Sequence, residues 1–177
     1  LVRRGKLKSW ETLLVLSASA GVGTAAIQLA KNVIGATVLT TTSSEEKAKQ
    51  AAEIGADFVI NYKEESIRDR IKEITGGAGV DFVLDHVGAD FFKDAFYSLK
   101  SGGRYGICGA TTGLRAELHL GLLFSKQIDV FGAFMGSKKD MVEITQTLNK
   151  GYINPSIHHA FPLSETSNAH KMMEETN

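Results

Sequence analysis

Short continuous apolar runs rich in branched residues alternate along this chain with longer stretches in which apolar positions recur every three or four residues. The runs are residues 12–16 (TLLVL), 36–41 (ATVLTT), 57–60 (DFVI), 80–85 (VDFVLD), 103–108 (GRYGIC) and 128–134 (IDVFGAF). They are continuous rather than alternating, which predicts strands covered on both faces, as in a parallel sheet. Between them the period changes. In SIRDRIKEI, Ile67, Ile71 and Ile74 fall at i, i+4 and i+7 with charges elsewhere, predicting a one-sided helix stopped by Gly76-Gly77. SSEEKAKQAAEIG opens with Ser43 and Glu46 at capping-box spacing and closes at Gly55; SKKDMVEITQTLNKG opens with Ser137 and Asp140 and closes at Gly151. Alternating strand and helix predict a doubly wound α/β fold, a parallel six-stranded sheet inside a three-layer αβα sandwich with right-handed crossovers.

The regularity fails twice. Residues 110–126 (ATTGLRAELHLGLLFSK) have weak periodicity and predict a loop with one helical turn, and long loops in compact domains are often functional. After Pro155, residues 157–162 predict a short extended piece with no partner in the sheet, followed by an amphipathic helix.

Composition narrows the class. At 177 residues and 43% hydrophobic content the chain suits one packed domain. Its 20 basic and 20 acidic side chains balance, which argues against nucleic acid and membrane surfaces as partners. Cys108 is the single cysteine, so an internal disulfide and a multi-cysteine zinc site are both excluded. No apolar run reaches spanning length and no signal-type segment follows the basic start, so a cytoplasmic location is expected.

The first βα junction, LSASAGVGTAAIQLA, carries small residues where larger ones would bury more surface. In an open α/β sheet this turn is where a dinucleotide pyrophosphate meets backbone N–H groups at the positive end of a helix. Against the G-x-G-x-x-G fingerprint the aligned residues are Ala18, Ala20 and Gly23, with Gly21 added. Gly21 is expected to supply unusual backbone angles and Gly23 to let the helix lie on the strand. Ala20 is tolerable only at negative φ. A packing role for such a turn is equally open on this motif alone.

About twenty residues on, an NAD site of this kind carries Asp or Glu. Here the chain reads LTTTSSEEK, with Thr41 and Thr42 at that point. Ser43, Ser44 and Lys47 offer hydroxyls, helix-start amides and a positive charge, a set that suits NADP(H). Lys47 read as a plain solvated side chain, and Ser43 as a plain cap, are the alternatives.

Five blocks in order, LLVLSASAGVGTAAIQLAK, GATVLTTTSSEEKAKQAAEIGADFVINYKEE, GVDFVLDHVG, GGRYGICG and GAFMGS, resemble the cofactor domain of medium-chain dehydrogenases/reductases. The resemblance is strongest to the quinone oxidoreductase-like and zinc-type alcohol dehydrogenase branch. It implies a Rossmann fold and a dinucleotide-binding domain over residues 1–177, without the barrel-like domain that carries most of the substrate pocket and, in zinc members, the metal ligands. It further implies that Ala20, Gly21, Val22 and Gly23 line the pyrophosphate and that Ser43, Lys47 and Tyr62 surround the 2′-phosphate. His86 and Val87 would border the cleft, Gly109 and Ala110 the nicotinamide ribose, and the backbone of Ala133, Phe134 and Met135 the carboxamide. Packing in the core or at an interface is the competing reading for Phe134 and Met135. A homodimer through the edge strand from Ile128 to Phe134 is also implied.

The expected activity is hydride transfer between NADP(H) and a carbonyl, quinone or activated alkene in the full-length protein, the chain alone binding cofactor with little turnover. A zinc-dependent alcohol dehydrogenase and a non-catalytic nucleotide-sensing module are the alternatives. No Tyr is followed four residues later by Lys, which argues against a short-chain dehydrogenase. The five histidines lack metal-ligand spacing, so no zinc is expected here; adjacent His158 and His159 point opposite ways on an extended segment. Asp85 and His86 are neighbours in sequence, which is not contact, and Cys108 is expected as a core thiol.

Overall fold

A computed structural model describes residues 1–175 and shows a six-stranded, wholly parallel sheet in the order β3-β2-β1-β4-β5-β6. The strands are β1 (Thr12–Val15), β2 (Thr37–Thr42), β3 (Phe58–Asn61), β4 (Val80–Asp85), β5 (Leu99–Ile107) and β6 (Asp129–Gly132). The order reverses between β1 and β4, the switch point outside whose carboxyl ends open α/β sheets form their ligand crevice.

Helices cover both faces, as the continuous apolar runs require. Leu13 and Val15 of β1 join Val38 and Phe82 beneath α1 (Gly21–Gln28) and α2 (Glu45–Glu53), which contribute Ala26, Ile27 and Ala51. Leu14 points the other way with Leu39, Val83 and Tyr105, under α3 (Ile67–Ile74) and α4 (Ala89–Tyr97). Ile67 and Ile71 of α3 are buried, worth about 1.5–3 kcal/mol each. Ser66 caps α3 by accepting from Asp69 N, and Gly77 N closes its far end on Lys72 O.

Several boundaries differ from expectation. The cap of α2 is Ser44, whose hydroxyl accepts from Lys47 N, and not Ser43. Strand β5 begins four residues earlier than the pattern predicts: Leu99 is fully buried and pairs with Val80, and the register then shifts before Phe82 meets Arg104. Strand β6 stops at Gly132 rather than Phe134. At α6 (Lys138–Asn149) the predicted start holds, with a complete capping box between Ser137 and Asp140.

Both irregular regions follow the sequence reading. Residues 110–126 form a loop with the short helix α5 (Leu120–Ser125). Residues 153–162 join no strand among the described residues, and α7 (Thr166–Glu175) follows. The amide of Gln28 holds the start of this tail, accepting from Asn154 N at 2.7 Å and donating to Asn154 O at 3.0 Å.

Candidate functional site

The turn from β1 into α1 is fixed at its base by the end of β2. Thr41 clamps its base: Ser17 N donates to the Thr41 hydroxyl and Ala18 N to the Thr41 carbonyl, both at 2.9 Å. The unusual backbone angle lies at Ser17, with φ +62°, and not at Gly21, which is absent from the left-handed region. Ala20 keeps φ at −73°, meeting the condition for an alanine there. A Cβ on Gly23 would stand 2.0 Å from the Ser17 carbonyl oxygen, whereas one on Gly21 would meet nothing within 4 Å. Gly23 is therefore required by the fold, and Gly21 leaves open space above the helix end.

No side chain caps α1 and no acidic residue lies in its first turn. The first helical bond is Thr24 N to Ala20 O, so the amides of Gly21, Val22 and Gly23 have no protein acceptor among the described residues. Three N–H groups at the positive end of a helix dipole form a ready anion site.

The end of β2 adjoins this turn. The hydroxyl of Thr41, singled out from the sequence as a cofactor group, is committed to Ser17; that of Thr42 is buried without a partner. Tyr62 N donates to Thr42 O at 3.0 Å, bringing the end of β3 beside it, while the Tyr62 ring packs edge-on to Phe91 at 4.9 Å. Ser43 is half-buried, Ser44 is spent as the cap, and the Lys47 ammonium has no carboxylate partner among the described residues.

Across the crevice, Asp85 ends β4 fully buried. Its carboxylate accepts from Val87 N at 2.7 Å, Gly88 N at 2.9 Å and the Tyr105 hydroxyl at 2.8 Å, fixing the DHVG turn. Neither ring nitrogen of its sequence neighbour His86 bonds to it among the described residues. His86 is 8% exposed with both ring nitrogens unpartnered, and burial pushes its pKa below the ordinary 6.5, against a smaller opposing pull from Asp85. Gly109 packs on His86, where a Cβ would come within 2.8 Å of the His86 carbonyl oxygen, and Thr112 N donates to Val87 O at 2.8 Å. Ala133 N donates to Ile107 O at 2.8 Å and carries the chain past β6 on the same sheet edge. Phe134 and Met135 are 90% and 86% exposed, so neither packs in this chain's core.

Cys108 is exposed rather than a core thiol: β5 ends at Ile107, and the chain turns out of the sheet. Partial desolvation beside the sheet end, and then Asp85, push its thiol pKa up, which keeps it protonated near neutrality. The sequence reading missed Ser17, whose φ no local motif announces, and the idle hydroxyl of Thr42. It also passed over the pairing of Asp85 with Tyr105, for which a carboxylate ending an apolar run is the available signal.

Amides without a protein acceptor, a Cβ-free approach at Gly21, and buried orphans on Thr42 and His86 all lie at the carboxyl ends of the neighbouring strands β2, β1 and β4, and these are groups that a nucleotide's phosphates and hydroxyls would satisfy. The zinc-binding dehydrogenase family matches residues 21–150. The chain belongs to that family. Within the medium-chain dehydrogenase/reductase superfamily it corresponds to the cofactor-binding domain. It is 34% identical over 175 residues to quinone oxidoreductase-like protein 2 of Mus musculus, covering 94% of this chain and 50% of that protein. Among solved structures, an NAD-dependent alcohol dehydrogenase superposes with TM-score 0.91 at 33% identity, over 98% of this chain and 50% of that one. Escherichia coli quinone oxidoreductase complexed with NADPH gives TM-score 0.83 at 30% identity, over 98% and 57%. The chain thus spans about half the length of the relatives it matches. Among the described residues no three His, Cys, Asp or Glu side chains are grouped so that they could hold a metal ion such as the zinc of the family's name.

Proposed function

We propose that this chain is the NADP(H)-binding part of an oxidoreductase that moves hydride between the nicotinamide and a carbonyl, quinone or activated alkene. The observation that carries the reading is the uncapped start of α1, with three free amides beneath the side-chain-free approach at Gly21. When bound, the cofactor supplies the hydride chemistry. The chain's own residues bind and orient it. Gly21, Val22 and Gly23 donate to the pyrophosphate, with Ala20 at the rim. Thr42, Ser43 and Lys47 receive the 2′-phosphate beside Tyr62, where no carboxylate stands to repel it. His86 and Val87, together with Gly109 and Ala110, border the nicotinamide ribose, and the backbone from Ala133 to Met135 meets the carboxamide.

Substrate binding and any metal would fall to residues beyond this chain. The open outer edge of β6 suits pairing with a second copy. An exposed free thiol at Cys108 fits a reducing compartment such as the cytoplasm. The test is a side-by-side fluorescence titration with NADPH and NADH. NADPH is expected to bind more tightly, and Lys47→Ala to weaken it about tenfold, or ~1.4 kcal/mol, while leaving NADH unchanged. An unaltered preference in that variant overturns the phosphate assignment.

A further inference from the structure

At the amino ends of β4 and β5, on the opposite edge of the sheet from the crevice, lies a second cleft of about 220 Å³. It runs between α3, the end of α4 and the end of α5, and its charged lining is Arg68, Lys72 and Lys126, with no carboxylate. None of the three is ion-paired among the described residues, although Arg3, Lys31, Arg70, Lys100 and Arg104 all are.

Two of these cations are anchored at the cleft, and Lys72 stands exposed on α3 beside them. The Arg68 guanidinium lies over the Tyr97 ring at 5.1 Å, which leaves its planar edge of N–H donors free. Lys126 Nζ donates to Leu99 O at 2.5 Å, tethering the ammonium at the cleft. Burial, and then the nearby Arg68 charge, push the Lys126 pKa down, so the like charges feel one another. The Gly76–Gly79 turn adds no bulk: a Cβ on Gly77 would meet nothing within 4 Å.

We propose that this cleft binds a small phosphate-bearing anion, separately from the cofactor crevice. Its volume equals that of about seven waters, enough for a pyrophosphate or a phosphate ester. An arginine fork and two ammonium groups match clustered phosphoryl oxygens better than a single carboxylate. A long polyanion fits poorly, because α3 also carries Asp69 and Glu73 on its exposed surface.

The experiment is a titration of the ¹⁵N-labelled full chain with inorganic pyrophosphate at low ionic strength, followed at individual amides. Saturable shifts at Gly77, Gly79 and Ser98 are expected, weakened at least tenfold in K72Q/K126Q while any shifts at Gly21 to Gly23 stay as they were. The amide spectrum reports whether the variant is folded, and R68Q alone serves if the double variant is not. Shifts that never saturate, that appear only at Gly21 to Gly23, or that survive charge removal overturn the proposal. Tighter binding of polyglutamate or an oligonucleotide at the same amides would overturn the small-ligand assignment.

Discussion

The Tyr105 hydroxyl donates to Asp85 at 2.8 Å between two strands whose side chains are both fully buried there. Burial, and then the Asp85 charge, push the phenol far above its ordinary pKa of 10, so it remains a donor throughout the folded range. The unfolded chain loses that proton near pH 10 and the folded chain does not, so the stability tied to this group is present below pH 10 and falls as pH rises beyond it. Tyr105→Phe is expected to cost about 2 kcal/mol in urea unfolding and to remove this alkaline loss. Asp85→Ala, which orphans the Val87 and Gly88 amides as well, is expected to cost about 3 kcal/mol or more.

Two glycines in one turn are expected to respond oppositely. Gly23→Ala drives a Cβ against the Ser17 carbonyl and should destabilise the fold by about 3 kcal/mol, seen as a lowered denaturation midpoint. Gly21→Ala places its Cβ in open space, so the midpoint should hold within about 0.5 kcal/mol while NADPH affinity falls about tenfold. Equal effects of the two on stability would contradict this division between packing and binding.

His86 is a buried ring without partners, and its pKa is lowered by burial. The unfolded chain takes up a proton near pH 6.5 that the folded chain refuses, so this contribution is complete above 6.5 and is lost as pH falls below it. His86→Leu is expected to flatten the acid-side slope of stability and, by removing two orphaned nitrogens, to raise stability at pH 7 by about 1 kcal/mol. The same variant should bind NADPH more weakly, a trade of stability against function.

The outer edge of β6 has no strand partner among the described residues, and Val130 on that strand is exposed. If two copies pair there, sedimentation should show a dimer, and Val130→Lys should shift it to monomer at the same concentration. A monomer for the unsubstituted chain at high concentration would rule out the pairing.

Legibility in the sequence tracked how local each cause was. The runs at Leu13–Leu14 and Val83–Leu84 announced buried strands because both faces are covered, and the spacing of Ile67 and Ile71 announced α3 because one face is. Boundaries set by tertiary contact were less visible: Leu99, between Ser98 and Lys100, gives no run, yet it pairs with Val80 and starts β5 early. Ser43 and Ser44 are equivalent as caps on paper, and only the geometry of the β2 exit chooses Ser44. The hydroxyls of Thr41 and Thr42 point to opposite faces of a strand, so one is consumed by Ser17 and the other is left idle, a division that residue type does not encode.

The most direct test of the central claim is amide-resolved NMR of the chain with and without saturating NADP⁺. The amides of Gly21, Val22 and Gly23 are expected to shift strongly and to gain protection from exchange as they donate to the pyrophosphate. Tight NADP⁺ binding with those three amides unmoved would contradict it.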